Sequence, residues 1–174
     1  MNAIDKFTID TVGAISELVK EGFYTQALII LYSAIDTMAW INLSEGDVKQ
    51  KDFVEWVNKY MQPENNLGCT AGDLYGARCG LVHANTSVSR KSRTGEVAQI
   101  WYVTSPKSFN KLQEHVIETR TEARVVYFTA LFAIFIEACQ QFNVEISVNK
   151  TRQHEVNDRI QHWIGFAPLK ETFK

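Results

Sequence analysis

Apolar residues recur at three- and four-residue spacing along most of the chain, which predicts a succession of helices. The first covers about residues 5–20 and ends near Gly22. A second runs from about Tyr24 to Asn42, with Leu28, Leu31, Ile35 and Met38 at helical spacing. It carries little polarity on any side, which marks a central helix. Ser44-Glu45-Gly46-Asp47 is a break, and Asp47 is the expected N-cap of a third helix through Met61. Phe53, Trp56, Val57 and Tyr60 form the apolar stripe of that helix. Gln62 to Gly68 reads as a loop, and Thr70 caps the helix that reaches His83. Glu96 to Thr104 is the one convincing β-prone run, so a short strand or hairpin is expected there. After Ser105-Pro106 the pattern gives one or two helices to about Phe142 and irregular chain at Val144 to Ser147. A last helix, Asn149 to Ile164, places Val156, Ile160, Trp163 and Ile164 on one side. Pro63, Pro106 and Pro168 each fall at a boundary. With no repeat, low-complexity tract or linker, the pattern predicts one all-α domain over residues 1–174.

Composition narrows the function classes. A chain of 174 residues is long enough to bury a sizeable core. Its net charge of -2 excludes a globally basic nucleic-acid binder, so any such site must be a local patch. Cys69, Cys79 and Cys139 are unevenly spaced and form no Cys-x-x-Cys pair, so they read as cytosolic thiols rather than a zinc or disulfide framework. Met1 to Ile9 lacks the basic start and apolar run of a secretory signal, which makes a cytoplasmic location the expectation. Val125 to Cys139 is the most apolar stretch but falls short of the roughly 20 residues that span a bilayer. It reads as a buried helix, and no membrane association is expected. Phosphate-binding and dinucleotide-binding glycine motifs are absent, and neither a metal nor a cofactor is expected.

The candidate chemistry lies in Arg78-Cys79-Gly80-Leu81-Val82-His83. An arginine holds phosphate oxygens with forked hydrogen bonds, and a histidine moves protons near neutral pH. No Asp or Glu occurs from Leu74 to Gly95, and the polar run after the histidine carries Arg90, Lys91 and Arg93. Asp36 sits in the apolar second helix, where an unpaired carboxylate is costly and needs a partner. Arg78 is an attractive one; Glu137, isolated in the Val125 to Cys139 stretch, offers the same service to the arginine. Five residues along a helix rotate by about 140°, so Arg78 and His83 do not share a face. A distorted turn at Gly80, a His83 beyond the last regular turn, or two subunits pooling their pairs would each bring them together. The structural alternatives are plain: a histidine at a helix C-terminus, an arginine neutralising a buried acid, and a solvated basic turn.

The Tyr32-Ser33-Ala34-Ile35-Asp36 stretch and Tyr75 to His83, with an arginine and a histidine separated by four residues in a helical protein, resemble the HEPN superfamily. The two motif stretches cover a small part of the chain, and the helical order extends the likeness over most of it. The resemblance implies a helical bundle that forms a homodimer, with the motif arginine at Arg78 and its histidine at His83. Many such proteins are metal-independent endoribonucleases, including toxins held by an antitoxin partner and RNA-cleaving defence proteins. Others are non-catalytic modules that bind nucleotide or protein and dimerise. In active members the residue after the arginine is often polar, whereas here it is Cys79. Under the ribonuclease reading, His83 moves the proton and Arg78 stabilises the phosphoryl charge, with Asp36 behind the arginine. Asn85, Ser87 and Ser89 supply further donors. Arg90, Lys91 and Arg93 grip flanking phosphates of the RNA, and Trp101, Tyr102 or Tyr75 stack on a base.

Overall fold

The computed structural model describes residues 3–162, and these are mostly helical with one small parallel sheet. Helix α1 (Ala3–Lys20) and helix α2 (Tyr24–Ile41) are joined through Gly22, whose φ of 80° suits a residue without a Cβ. Helix α2 is the centre of the molecule: Leu31, Tyr32, Ile35, Met38, Ala39 and Ile41 have no exposed surface. Its sides are covered by α1, by α3 (Gln50–Trp56) and by α5 (Ala71–Ala84). Such all-round burial explains why its pattern has no polar face.

The third helix differs from its expected form at both ends. It starts after Lys49, whose backbone N–H donates to the Asp52 carboxylate at 2.8 Å, so Asp47 is not its cap. Beyond Trp56 it widens into a π-helical turn, Val57–Met61, ended by Gln62 in the left-handed conformation (φ 46°) and by α4 (Pro63–Asn66). Proline at the first position of α4 lacks the N–H that the preceding turn would need, so the chain restarts there.

The β-prone run forms strand β1 (Gln99–Val103), but not a hairpin. It pairs in parallel with β2 (Ala123–Tyr127), in register from Gln99 opposite Ala123 to Val103 opposite Tyr127. Parallel neighbours need a crossover, and helix α7 (Pro106–Thr119) supplies it. The front of the apolar stretch from Val125 is therefore strand rather than helix. Helix α8 (Phe128–Val148) then runs through the segment expected to be irregular, and Asn149 caps α9 (Lys150–Ile160) by accepting from the Arg152 N–H at 3.1 Å. Trp163 and Ile164, expected on the last helix, lie outside the described residues.

Helix α8 is long and apolar enough to cross a membrane, longer than the sequence pattern suggests. Its Phe128, Leu131, Phe135, Ala138, Phe142 and Ile146 recur at three- or four-residue spacing and are buried against the other elements. Each buried Phe or Leu contributes about 1.5–3 kcal/mol relative to exposure, as an upper estimate. One hydrophobic cluster runs from Ile4 to Val156 and includes residues of α1, α2, α3, α5, α8 and α9.

Candidate active site

Helix α5 positions the Arg–His pair, and its ends are chemically fixed. Thr70 Oγ1 accepts from the Asp73 N–H at 3.0 Å while the Asp73 carboxylate accepts from the Thr70 N–H at 2.9 Å. The second oxygen of Asp73 accepts from the Ala98 N–H at 2.7 Å, which locks the start of α5 to the approach of β1. At the far end Asn85 turns into the left-handed conformation (φ 49°), and its N–H caps the Leu81 carbonyl.

Within this helix Arg78 reaches in two directions. Its Nε–H donates to Asp36 Oδ2 at 2.7 Å, and its Nη1 lies 2.9 Å from His83 Nε2. Asp36 is thus the acid behind the arginine, whereas Glu137 is exposed on α8. The helix is continuous from Ala71 to Ala84, so the meeting needs neither a broken turn at Gly80 nor a second subunit. Side chains on a helix lean toward its N-terminus, so His83 leans back toward Arg78. A long arginine then spans the angular offset that a count of Cα directions makes prohibitive.

The contact also assigns a tautomer. A guanidinium has donors only, so His83 Nε2 must be the acceptor and the ring proton sits on Nδ1. Burial pushes the Asp36 carboxyl above its ordinary value, although Arg78 and then His83 pull it down. For Arg78, burial opposes the charge, but the hydrogen bond and charge of Asp36, with Cys79 alongside, raise it further. Tyr75 completes this face: burial and the neighbouring Cys79 push its hydroxyl up, and its ring meets Phe53 edge-on at 5.4 Å. His83 itself is exposed.

The basic loop is more ordered than a solvated turn. Arg90–Arg93 form one helical turn, α6, capped by Ser89, whose Oγ accepts from the Ser92 N–H at 3.2 Å. Lys91 is half-buried and ion-paired with Glu96 at 2.8 Å, so the first acid after the acid-free stretch neutralises one of the three expected phosphate grips. Arg90 and Arg93 remain exposed.

Two glycines missed as functional by sequence reasoning let this loop lie on α5. A Cβ on Gly80 would come within 2.7 Å of the Thr86 carbonyl oxygen, and one on Gly76 within 2.6 Å of Val97 Cγ2. The signal was present in the four-residue spacing of Gly72, Gly76 and Gly80, a smooth stripe down one side of α5.

Trp101, Tyr102 and Asn85 gather elsewhere than the pair. With Ala77, Leu81 and Phe128 they line a separate pocket of about 410 Å³. Tyr102 directs its hydroxyl to the buried Tyr32 hydroxyl, and burial pushes both groups well above their ordinary range. Trp101 stacks on His115, with ring centroids 6.3 Å apart. Neither Arg78 nor His83 lines this pocket. Among the described residues no group of three or more His, Cys, Asp or Glu side chains is placed to hold a metal ion. No protein-family model, curated protein or solved structure matches the chain.

Proposed function

We propose that the protein is a metal-independent endoribonuclease of HEPN type, acting in the cytoplasm as a homodimer and held in check by an antitoxin partner. The observation that carries the reading is the relay Asp36–Arg78–His83, with a part-buried ion pair at one end and an exposed imidazole at the other. Two of the five guanidinium N–H donors are engaged in it, which leaves donors beyond the relay for a phosphate to compete for. A phosphodiester that takes Nη1 from His83 frees Nε2 to accept a proton. His83 then removes the proton of a ribose 2′-hydroxyl, the 2′-oxygen bonds to phosphorus, and the bond to the 5′-oxygen breaks. The leaving oxygen takes a proton from the imidazolium or from water, which gives a 2′,3′-cyclic phosphate and a 5′-hydroxyl. Arg78 neutralises the charge that grows on the phosphoryl oxygens, while exposed Arg90 and Arg93 favour the flanking phosphates.

The test is cleavage of RNA in EDTA by wild type, His83→Ala and Arg78→Ala. Loss of a general acid–base group costs roughly 100- to 10,000-fold. Equal cleavage by wild type and His83→Ala eliminates the mechanism. A second reading, a non-catalytic module that binds nucleotide or protein, draws support from the ion pair itself, since Arg78 already neutralises a part-buried acid. RNA binding that weakens with salt but proceeds without cleavage would favour it.

A further inference from the structure

We infer that the pocket between α2, the end of α5 and β1 is a binding site for a nucleobase. Its volume of about 410 Å³ lies in the range of small-molecule sites, and the residues that line it carry no charge. A phosphate or carboxylate therefore has no counter-ion there, and the occupant is a neutral group.

The walls select a flat one. Tyr24, Trp101, Tyr102 and Phe128 present aromatic surface, and each is held by a neighbour. Tyr24 and Phe128 meet edge-to-face at 6.2 Å, Trp101 stacks on His115, and Tyr102 is tied through its hydroxyl to Tyr32. Rings fixed in this way lose little freedom when a planar ligand stacks on them. An aliphatic ligand would leave the polar side of the pocket unsatisfied. Asn85 brings an amide with both donors and an acceptor, and Thr86, Ser87 and Thr104 bring hydroxyls. Ser87 Oγ accepts from Gln99 Nε2 at 2.9 Å, which leaves its own proton to donate. Mixed donors and acceptors beside aromatic faces match the edge of a base, as proteins that bind unpaired bases use them.

The site is also built rather than incidental. Gly80 allows the Thr86 backbone to lie against α5, and Asn85 reaches the pocket because it leaves the helix in a left-handed turn. Ala77 and Leu81 of α5 form the floor, and neither Arg78 nor His83 lines the pocket. The inference holds whether or not that pair cleaves RNA.

Titration of the whole protein with adenosine, guanosine, cytidine and uridine, followed by the backbone amide signals in nitrogen-edited NMR spectra, tests it. At least one nucleoside should saturate, and His83→Ala should bind it as wild type does. Trp101→Ala should weaken binding roughly 5- to 150-fold, as loss of one stacking platform does. Ala77→Leu fills the floor without removing a ring and serves if Trp101→Ala does not fold; it too should weaken binding. A short oligoribonucleotide that binds more tightly than its nucleoside assigns the base to an RNA chain, and equal affinity assigns it to a free nucleoside. Absence of saturation by all four nucleosides up to their solubility overturns the proposal. So does saturation of equal strength in wild type and Ala77→Leu.

Discussion

Asp36 and Arg78 stand 42 positions apart and meet through a 2.7 Å hydrogen bond, with less than a fifth of either side chain exposed. The pair joins α2 to α5 and aims the guanidinium at His83.

Removing one partner leaves the other charge stranded in a poor solvent. Asp36→Asn should destabilise the protein by about 1–3 kcal/mol, less than a fully buried pair because water still reaches both groups. Asp36→Leu combined with Arg78→Met should cost less than either single change. Urea unfolding of the double variant and its two singles checks the order, and a double variant less stable than either single would contradict it.

The His83 ring should carry its proton on Nδ1 in the neutral protein, because Nε2 accepts from Arg78. Long-range nitrogen–proton NMR correlations distinguish the two tautomers. Arg78→Ala removes the donor and should let the ring proton redistribute to Nε2. A wild-type ring protonated on Nε2 alone would rule out the contact.

Two glycine-to-alanine changes should have opposite signs. At exposed Gly13 of α1 a Cβ meets nothing within 4 Å, so Gly13→Ala should stabilise by about 0.5–1 kcal/mol through helix propensity. At Gly80 the Thr86 carbonyl must move, and Gly80→Ala should destabilise by about 1–3 kcal/mol. Thermal unfolding of both variants under one buffer reads the contrast.

Glu145 on α8 bonds Lys59 at 2.6 Å and accepts from the Tyr60 hydroxyl at 3.1 Å, clamping the π-helical turn. Lys59 holds the Glu145 carboxyl below its ordinary value; burial works against the Lys59 charge, but Glu145 and Tyr60 outweigh it and raise that amine. A lowered acid contributes its stability above its unfolded value and loses it as pH falls through the folded one. A raised amine does the reverse. The clamp therefore acts between the unfolded values of about 4.3 and 10.4. Both groups are well exposed, so Glu145→Gln should cost only about 0.2–1 kcal/mol at pH 7. The difference should vanish near pH 3 in acid-titrated melting curves, and a difference that grows there would refute the assignment.

The helical frame was readable because burial leaves a mark at every third or fourth position. Helix α2 and the Thr70 cap follow directly from such marks. The Asp36–Arg78 pairing was half-readable: one acid in an apolar helix demands a cation, but two acids were eligible. Strand β2 was hidden because Ala-Arg-Val-Val-Tyr flows into the apolar run of α8, and a short apolar segment has the same composition in either state. The angular objection to Arg78 and His83 came from treating side chains as radial pegs. Length and tilt along the helix carry information that angular position alone does not. The aromatic pocket was out of reach, since Tyr24, Asn85, Trp101 and Phe128 come from segments whose approach only tertiary packing decides.

The parallel pairing of β1 with β2 has a consequence for how the chain is made. A hairpin could close as soon as its own turn was synthesised; β1 must wait for Ala123–Tyr127 and for the crossover helix between them. Until then the wall bearing Trp101 and Tyr102 has an unpaired edge. A chain cut between His83 and Ala123 would keep every residue of the Asp36–Arg78–His83 relay and still lack the strand that completes the wall of the neighbouring pocket.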